Sequence, residues 1–470
     1  MFACAFDLGA SGGRVIVGEY KNGTLSLTEM HRFENEPYTQ GGVMYWDTDR
    51  LFGEMKTGLK KIAAEKIALD GIGVDTWGVD YGLLDANGTL IGKPIHYRDK
   101  RTDGFPERSL MPNDHIYSRT GNQLLHFNTI YQLMADAEMR PDILEAAADL
   151  LFMPDLFAYL FTGKKINEYT IASTSQLLDA NARDWDYGLI DSLPGKNLGR
   201  LFKKITSPCK IIGPPLRSII DETGINPSAK FVATGSHDTA SAVAGTPLVR
   251  GAPSAYLSCG TWSLLGVELD GPLINADSFK KNFTNEGGLD GKIRFLKNIN
   301  GLWLIQQLLK SHNAALRDGE KIGYAELRRE AECAKRRHFC VAPNDPAFNN
   351  PPDMAESVRD YCARANQGSI ETIGEAALAV YNGLAGEYAS TLADLEGLAG
   401  AKVDSLHMVG GGVRDAFLCK KAAEATGRRV TAGPIEASAL GNIIAQLIGL
   451  GAVRDLWEGR EIIGRSFKPE

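Results

Sequence analysis

The sequence predicts an α/β protein built from two or three domains. Its 470 residues exceed the roughly 250–300 that one hydrophobic core usually serves. In the middle of the chain, an apolar strand pattern at 230–234 runs through a polar turn into a small-residue helix that ends near 245. Later, 256–266 repeats the order of strand, small polar turn and strand that is found at 2–18. Strands that alternate with turns and helices are typical of the α/β class.

The central turn brings a carboxylate, an imidazole and two hydroxyls to the start of a helix. Its residues are Ser236, His237, Asp238 and Thr239. Because α/β proteins hold reactive groups at strand–turn–helix junctions, we predict that Asp238 is a general base over which the two halves of the chain close. The alternative is that Asp238 only caps the helix, a role that aspartate fills well. A helix N-terminus would also lower the pKa of this carboxylate and keep it ionised.

Composition excludes several classes of protein. With 44% hydrophobic residues, 23% charged residues and a net charge of −7, the chain has no basic surface suited to nucleic acid. No apolar stretch approaches the roughly 20 residues that cross a bilayer, and the first residues lack the basic region of a signal peptide. Seven cysteines without a CxxC pair indicate reduced thiols. We therefore expect a cytoplasmic monomer or small homo-oligomer with no nucleic-acid or membrane partner.

The first predicted hairpin, 2–20, has a glycine-rich tip at 9–13. The tip matches G-x-S-x-G, the nucleophile elbow of α/β-hydrolases, but strand-forming residues follow where that elbow needs a helix. Backbone N–H groups at such a tip can converge on an anion, and Arg14 adds positive charge. Asp7, just before the tip, is placed to face a Mg²⁺ ion that accompanies a nucleotide. The alternative is a tight turn without a ligand.

A second polar segment, 75–80, follows a predicted buried strand at 72–74. Gly78 would let a ligand approach the backbone closely, and Trp77 would pack on the apolar face of a sugar. The alternative is that Trp77 is a core residue and Gly78 a bulge.

The remaining pattern predicts helices and a third glycine turn. Helical spacing of apolar residues predicts a helix over about 51–66, helical structure from 125 to 163, and a helix from Leu302 that carries Gln306. A buried strand at 405–409 ends in three glycines, 410–412, and a helix over 413–425 follows. A glycine run between strand and helix lets a phosphate or a flat ring approach the backbone.

In their order along the chain, these motifs resemble those of the FGGY carbohydrate kinases. The resemblance covers essentially the whole chain and rests on the segments 7–14, 75–80, 97–99, 153–155, 236–241, 258–264, 285–288, 296–299, 409–412 and 436–438. It implies an α/β fold of two actin-like, ribonuclease H-like (ASKHA) domains flanking a cleft for ATP and sugar. The expected domains are a sugar-binding domain with the first phosphate hairpin at 1–245 and a nucleotide-binding domain at 246–470.

The resemblance also implies an activity, the Mg²⁺-dependent transfer of the γ-phosphoryl group of ATP to the 1-hydroxyl of L-rhamnulose. The small-molecule partners are then L-rhamnulose and ATP, and Asp238 falls where the family has its proton acceptor. The residues matched to ATP contacts are Ala10, Ser11, Gly12, Gly13, Arg14, Thr261, Gln306 and Gly411. Those matched to sugar contacts are Gly78, His237, Asp238, Thr239 and Asn298.

Two departures from the family pattern concern the nucleotide side. Gly12 stands where the pattern has a serine, so one phosphate contact would become backbone-only. Arg414 and Asp415 stand where a Gln-Asn pair is common, so Asp415 would add negative charge near the nucleotide.

Three alternative functions stay open. The first is a kinase for another ketose, such as fuculose or xylulose. The second is a catalytically silent sugar or nucleotide sensor on the same fold, and the third is an actin-like filament protein. The segments 75–80 and Asn298 favour rhamnulose as substrate. Retention of the carboxylate base and of three nucleotide loops argues against a sensor, and a filament protein has no need of the pair His237 and Asp238.

Overall fold

The computed structural model describes residues 1–108, 111–336, 338–349 and 351–467. The described chain forms two compact units. The first unit gathers 1–250, 268–295 and 436–467, and the second unit contains 251–267 and 296–435. The division between residues 245 and 246 stays a prediction. Within the described ranges, no helix is both long enough and apolar enough to span a bilayer, and each of the seven cysteines is a free thiol.

Residues 1–250 carry the first group of strands and helices. The strands are β1 (Phe2–Gly9), β2 (Gly12–Lys21), β3 (Thr24–Glu34), β4 (Tyr38–Gln40), β5 (Val43–Tyr45), β6 (Gly71–Thr76), β7 (Tyr81–Leu84), β8 (Leu90–Ile91), β9 (Asp149–Phe152), β10 (Asn167–Glu168), β11 (Leu178–Asp179), β12 (Asp184–Trp185), β13 (Ile205–Thr206), β14 (Ile211–Gly213) and β15 (Lys230–Val232). The α-helices are α1 (Thr48–Ala64), α2 (Asn113–Thr120), α3 (Thr129–Met139), α4 (Pro141–Ala146), α5 (Met153–Thr162), α6 (Tyr169–Ala172), α7 (Tyr187–Ile190), α8 (Arg217–Thr223) and α9 (Asp238–Ala244).

The rest of the chain carries the second group. Its strands are β16 (Ser254–Cys259), β17 (Trp262–Leu269), β18 (Thr284–Gly287), β19 (Ile293–Asn300), β20 (Ser405–Val409) and β21 (Arg429–Ala432). Its α-helices are α10 (Ala276–Lys280), α11 (Trp303–Ala314), α12 (Tyr324–Glu332), α13 (Met354–Arg364), α14 (Ile373–Ala399), α15 (Ala416–Thr426), α16 (Ala437–Gly449) and α17 (Leu456–Ser466).

A six-stranded sheet forms the centre of the first unit, in the order β14-β15-β6-β1-β2-β3. Strands β1, β6 and β15 are parallel, and the outer pairs are antiparallel. The register sets Asp7 of β1 opposite Asp75 of β6, and Thr76 forms a parallel bridge with His237. Because parallel strands end at the same edge of a sheet, this register gathers the predicted polar segments at one edge.

The predicted N-terminal hairpin is present as β1 and β2, and β3 adds a third antiparallel strand. Strand β1 is buried on both faces, as expected of an apolar strand at the centre of a sheet. The turn between β2 and β3 is Asn22-Gly23, and both residues have positive φ angles, 52° and 75°. Such Asn-Gly turns match the twist of a hairpin.

Helix α16 fixes α9 against this sheet. Ala3 and Ala5 of β1 pack in one core with Ile443 and Leu447 of α16. The helices α9 and α16 approach so closely that a Cβ atom at Gly441 would lie 1.8 Å from the Ser241 carbonyl oxygen. The N-terminal end of α9, where Asp238 lies, is therefore positioned by backbone-to-backbone packing.

A second six-stranded sheet has the order β18-β19-β17-β16-β20-β21. The predicted hairpin of the second half is β16 and β17, which pair antiparallel, while β16, β20 and β21 are parallel.

The structure corrects two of the predicted helices. The segment 125–163 contains the strand β9 between α4 and α5, and β9 pairs with β7. Its run of apolar residues is buried on both faces, so periodicity could not distinguish it from a buried helix. The helix predicted at 413–425 begins instead at Ala416, because the Asp415 side chain accepts hydrogen bonds from the backbone N–H groups of Phe417 and Leu418.

Replacing Gly441 by Ala should lower the unfolding midpoint strongly. The new Cβ would collide with the backbone of α9, and overpacking of this kind costs about 1–3 kcal/mol. Gly53→Ala in α1 is the matched control, because a Cβ there meets no described atom within 4 Å. The control should stabilise the helix by about 0.5–1 kcal/mol. Equal shifts of the two midpoints in thermal unfolding would contradict the close helix contact.

Candidate active site

Asp238 is the first residue of α9, and the cap position is taken by His237. The His237 side chain makes no capping hydrogen bond. The Asp238 carboxylate accepts a hydrogen bond from the Thr239 hydroxyl at 3.1 Å and lies 3.5 Å from His237 Nε2. Asp238 therefore does not fill the cap position that the alternative interpretation required.

The environment of Asp238 raises the pKa of its carboxyl group. Burial is the main cause and the negative charge of Asp7 adds to it, while His237 and the hydrogen bonds from Thr239 act in the opposite direction. The expectation that the helix N-terminus lowers this pKa was wrong, because desolvation outweighs the field of a seven-residue helix. The side chain still keeps 27% of its surface exposed, so a substrate can reach it. A raised pKa makes the ionised carboxylate a better proton acceptor.

The backbone just before Asp238 is held by the start of helix α6. Oε2 of the fully buried Glu168 accepts hydrogen bonds from the backbone N–H groups of Ser236 (3.3 Å) and Thr170 (2.9 Å). The same oxygen accepts from the Thr170 hydroxyl at 2.6 Å, and that hydroxyl accepts from the His237 backbone N–H at 3.2 Å. Burial raises the pKa of Glu168 to about 7. These two residues fix the turn that presents His237 and Asp238.

Sequence reasoning did not assign a role to Glu168 or Thr170. Their contacts with the turn span 68 and 67 residues, so no local spacing connects them with it. A buried glutamate just before a short helix is the only local signal, and it is that of a cap.

The turn after β6 carries backbone strain. Val79 has a φ angle of 66°, a conformation that is rare for a β-branched residue. Its backbone N–H donates to Thr174 Oγ1 at 3.1 Å, and its carbonyl accepts from Thr129 Oγ1 at 2.7 Å. The buried Asp80 carboxylate accepts from Gln132 Nε2 at 2.9 Å. Strain of this kind persists only where the surroundings hold it, and it is concentrated at functional sites.

Within this turn, Trp77 and Gly78 differ in what they offer a ligand. Trp77 is 4% exposed, its ring lies 3.8 Å from that of Trp46, and its indole N–H donates to Asp80 at 3.1 Å. The alternative interpretation of Trp77 as a core residue is therefore the one that the structure supports. A Cβ at Gly78 would lie 3.3 Å from Thr174 and 3.4 Å from His237 Nε2. Gly78 and His237 are thus neighbours.

A cluster of charges lies at the same edge of the sheet. Arg14 Nη2 donates to Asp7 Oδ2 at 2.5 Å, and Arg14 Nη1 donates to Glu436. Asp7 is the main cause that raises the pKa of the Arg14 guanidinium. Asp75 accepts from Asn442 at 2.6 Å through one oxygen, and burial followed by the charge of Asp7 raises its pKa well above the ordinary value.

The oxygen atoms of this cluster suit a hard cation. Asp75 Oδ1 is buried without a hydrogen-bond partner among the described residues, and Asp7 is its neighbour across the strands. Oxygen ligands are those that Mg²⁺ prefers. Nowhere in the described ranges do three or more His, Cys, Asp or Glu side chains form a group that could hold a metal ion by themselves. The cluster fits an ion that arrives with phosphate oxygens of its own.

The predicted phosphate hairpin is the β1–β2 turn. Ala10 and Ser11 lie in the turn, and Gly12, Gly13 and Arg14 begin β2. The Ser11 carbonyl accepts from the Asn35 backbone N–H at 3.2 Å, and the Asn35 amide donates to the Gly9 carbonyl at 2.8 Å, so Asn35 holds the tip. A Cβ at Gly13 would lie 2.3 Å from the ring of Phe33. Packing therefore explains this glycine without a ligand.

Four other predicted residues lie in the second unit. Thr261 lies in the β16–β17 turn, and its carbonyl accepts from the backbone N–H groups of Gly301 (3.1 Å) and Trp303 (3.2 Å). Asn298 is on β19, Gln306 on α11, and Gly411 opens a 3₁₀ turn after β20.

Asp415 is the N-cap of α15, and its carboxylate also accepts from the Tyr381 hydroxyl at 2.5 Å. Its negative charge is therefore engaged by a helix N-terminus and a hydroxyl, which accounts for the departure from the family pattern at this position.

The Glu168 carboxyl group should make stability depend on pH. Its folded pKa of about 7 lies above the ordinary 4.5, so the stability that it contributes is present below about pH 4.5 and is lost as the pH rises through about 7. Glu168→Gln keeps an acceptor oxygen and cannot ionise. This variant should gain up to about 3 kcal/mol over the wild type between pH 4.5 and pH 8 in denaturant unfolding.

Thr170→Val is the comparison for this measurement. It removes the hydroxyl that accepts from the His237 N–H and donates to Glu168, and it should cost about 1–3 kcal/mol. Unlike Glu168→Gln, this variant should keep a pH-dependent stability, because Glu168 can still ionise. Parallel stability profiles of the wild type and Glu168→Gln between pH 5 and pH 8 would contradict the raised pKa of Glu168.

Solved structures with the same fold are sugar and polyol kinases. Gluconate kinase from Lactobacillus acidophilus superposes with a TM-score of 0.79 at 17% identity, covering 100% of this chain and 92% of that one. Xylulose kinase from the same organism gives 0.78 at 17% identity with the same coverage. Plasmodium falciparum glycerol kinase with ADP gives 0.76 at 15% identity, covering 100% and 93%. At these identities the likeness shows the fold, the two-domain ribonuclease H-like and actin-like architecture that the sequence predicts.

Curated relatives are much closer in sequence. The rhamnulokinase of Halalkalibacterium halodurans is 40% identical over 470 residues, covering 99% of this chain and 97% of the relative. That of Enterobacter sp. (strain 638) is 42% identical, covering 98% and 92%, and that of Bacteroides thetaiotaomicron is 39% identical, covering 98% and 94%. The model of the N-terminal domain of the FGGY family of carbohydrate kinases matches residues 2–245, and that of the C-terminal domain matches 255–450. This chain is therefore a member of the FGGY family of carbohydrate kinases.

Proposed function

We propose that the chain phosphorylates L-rhamnulose at its 1-hydroxyl group with ATP. The observation that carries the proposal is the position of Asp238, a partly exposed carboxylate beside His237 with a raised pKa. Rhamnulokinases at about 40% identity over nearly the whole chain support the choice of sugar.

Asp238 acts in this proposal as the residue that orients the sugar hydroxyl and accepts its proton. The transition state of phosphoryl transfer is loose, so positioning and neutralisation of charge carry most of the rate. Little activation of the nucleophile is needed, and the proton moves late. The Glu168 and Thr170 contacts hold the turn of Asp238 in place before the sugar binds.

The proposed sugar contacts are Gly78, His237, Asp238, Thr239 and Asn298. Of these, Gly78 leaves open the space in front of His237 Nε2, because it has no side chain. The strained and fully hydrogen-bonded turn of Val79 and Asp80 keeps that space in a fixed shape.

On the nucleotide side, the proposed contacts are Ala10, Ser11, Gly12, Gly13, Arg14, Thr261, Gln306 and Gly411. Arg14 would exchange part of its contact with Asp7 and Glu436 for phosphate oxygens. When bound with ATP, Mg²⁺ supplies neutralisation of the phosphate charge. Asp7 and the neighbouring Asp75 are the residues that would face the ion.

A panel of ketoses tests the substrate. ATP-dependent phosphorylation should be fastest with L-rhamnulose and at least about 10-fold slower, in kcat/KM, with fuculose and xylulose, since one sugar hydroxyl bonded correctly is worth about 1.4 kcal/mol. ADP release should require the sugar. Highest kcat/KM with another ketose would replace rhamnulose in the proposal, and binding of ATP and sugar without turnover would indicate the sensor.

Asp238→Asn should lower turnover by about 10³-fold while ATP still binds, because loss of a general base typically costs 10²–10⁴-fold. The matched control is Asp142→Asn, an exposed aspartate in the first turn of α4. The control should keep full activity. Near-wild-type turnover of Asp238→Asn in a steady-state assay would remove Asp238 as the base.

Gly78→Ala should raise the KM for L-rhamnulose about 10-fold, equivalent to 1.4 kcal/mol, and leave the KM for ATP unchanged. The new methyl group would occupy the space beside Thr174 and His237 Nε2. Gly271→Ala is the control, since a Cβ there meets no described atom within 4 Å. A KM for sugar that stays at the wild-type value would place the sugar elsewhere.

A further inference from the structure

The two ring nitrogens of His237 face different groups. Nε2 is 3.5 Å from Asp238 Oδ1 and close to Gly78. Nδ1 is 3.1 Å from Arg294 Nη2 and 3.3 Å from Glu286 Oε2. The side chain of His237 is only 9% exposed, so these neighbours, and not water, decide which nitrogen carries the proton.

Arg294 and Glu286 form a buried ion pair behind the histidine. Arg294 of β19 is 0% exposed and Glu286 of β18 is 5% exposed, and Arg294 Nη2 lies 3.0 Å from Glu286 Oε2. Arg294 Nε donates to the Gly287 carbonyl at 2.8 Å, and the Gly287 N–H donates to Ser173 at 2.7 Å, so the guanidinium group is held in one orientation.

The ion pair keeps both charges. Burial raises the pKa of Glu286, but the neighbouring positive charge of Arg294 is the largest of the effects that outweigh burial, and the pKa lies below its ordinary value. A buried ion pair contributes little to stability compared with apolar side chains of similar size. Its place behind His237 therefore suggests a role in ordering the histidine.

The geometry of the two neighbours selects one tautomer. Glu286 Oε2 lies 3.3 Å from Nδ1 but has no hydrogen-bond partner among the described residues, whereas the contact from Arg294 Nη2 has the geometry of a hydrogen bond. A guanidinium group can only donate, so Nη2 at 3.1 Å requires a lone pair on His237 Nδ1. A proton on Nδ1 would instead place two N–H donors against each other in a buried site. With Nδ1 as the acceptor, the neutral ring carries its proton on Nε2, where it faces the Asp238 carboxylate and the space in front of Gly78.

We infer that Arg294, held by Glu286, keeps His237 as the neutral Nε2–H tautomer, so that the histidine donates a hydrogen bond on the side of Asp238 and the sugar. Arg294 and Glu286 are positioning residues, because they act through His237. The consequence for the sugar rests on the proposed function, whereas the tautomer does not. The opposite tautomer would point a lone pair at the Asp238 carboxylate, and the two would repel each other.

Nitrogen-15 NMR of the protein with labelled histidine rings tests the tautomer directly, without any activity. The signal of His237, one of eight histidines, is identified by its loss in His237→Gln. At pH 7.5 the ring should give the two-bond correlation pattern and shifts of the neutral Nε2–H form. A neutral Nδ1–H ring or a doubly protonated ring would overturn the inference.

Paired substitutions test the roles of the two neighbours. Arg294→Met with Glu286→Leu removes both charges together, so no unpaired charge is left behind, and His237 should become a mixture of tautomers. The KM for L-rhamnulose should rise about 10-fold, with the KM for ATP within about 2-fold, as for the loss of one hydrogen bond. Arg294→Met with Glu286→Gln restores an N–H donor near Nδ1 and should recover most of the tautomer and of the KM.

The control is a second buried ion pair in the same unit, Arg460 and Glu268, which are 2.8 Å apart. Arg460 donates to the Val243 carbonyl at the other end of α9. Arg460→Met with Glu268→Leu should leave the tautomer and the KM for sugar unchanged. If the Arg294 and Glu286 double variant keeps the wild-type tautomer, or if the control shifts it equally, the inference is overturned. Absence of sugar phosphorylation by the wild type would contradict the proposed function and leave the NMR result standing.

Discussion

The candidate site depends on the hydrogen bond that the Thr76 N–H donates to the Ser236 carbonyl at 2.9 Å. This bond extends the parallel pairing of β6 and β15 beyond the end of β15, so that the two segments leave the sheet side by side. One segment carries the turn with Gly78 and the other carries His237 and Asp238. The parallel bridge between Thr76 and His237 belongs to the same extension, and Gly78 lies close to His237 Nε2 just beyond it.

The edge of the sheet is rich in carboxylates, and two arginines determine how they coexist. Arg14 lies between Asp7 and Glu436, and Arg294 lies between Glu286 and His237. Asp75 has no such ion pair among the described residues, and burial raises its pKa well above the ordinary value. Arg294 thus keeps Glu286 ionised at a place where burial would otherwise favour its protonation. The arrangement places carboxylates near the site that we propose for phosphate.

Local patterns were sufficient to predict the hairpins and the helix of Asp238. Strand-forming residues around Ala10–Arg14 and around Thr261, interrupted by glycine, predict two hairpins that the structure contains. Strand β9 was missed because a short apolar run buried on both faces has no period of its own. The start of α15 was misplaced although Asp415 offered a capping signal. The role of Trp77 could not be predicted, since an aromatic residue beside a glycine is typical both of a core and of a surface that packs against a sugar.

The parts of the site that could not be predicted are those that reach it over long sequence separations. Glu168 and Thr170 bond the turn of His237 across 68 and 67 residues, and Arg294 approaches His237 across 57 residues. Their side chains follow no periodic pattern, and their contacts with the site form only when the fold brings distant segments together. The motif around Glu286 was part of the family resemblance, but a sequence does not show that its carboxylate pairs with an arginine behind a histidine.

Helix α16 has a consequence for how the protein is made. The apolar side chains of β1, synthesised first, are covered by Leu440, Ile443 and Leu447, which lie far along the chain. During translation, the face of the first sheet that α16 covers therefore stays exposed until these late residues leave the ribosome. A nascent chain with exposed apolar surface is prone to aggregate, so this fold has a longer aggregation-prone stage during synthesis than one whose N-terminal half completes its own core.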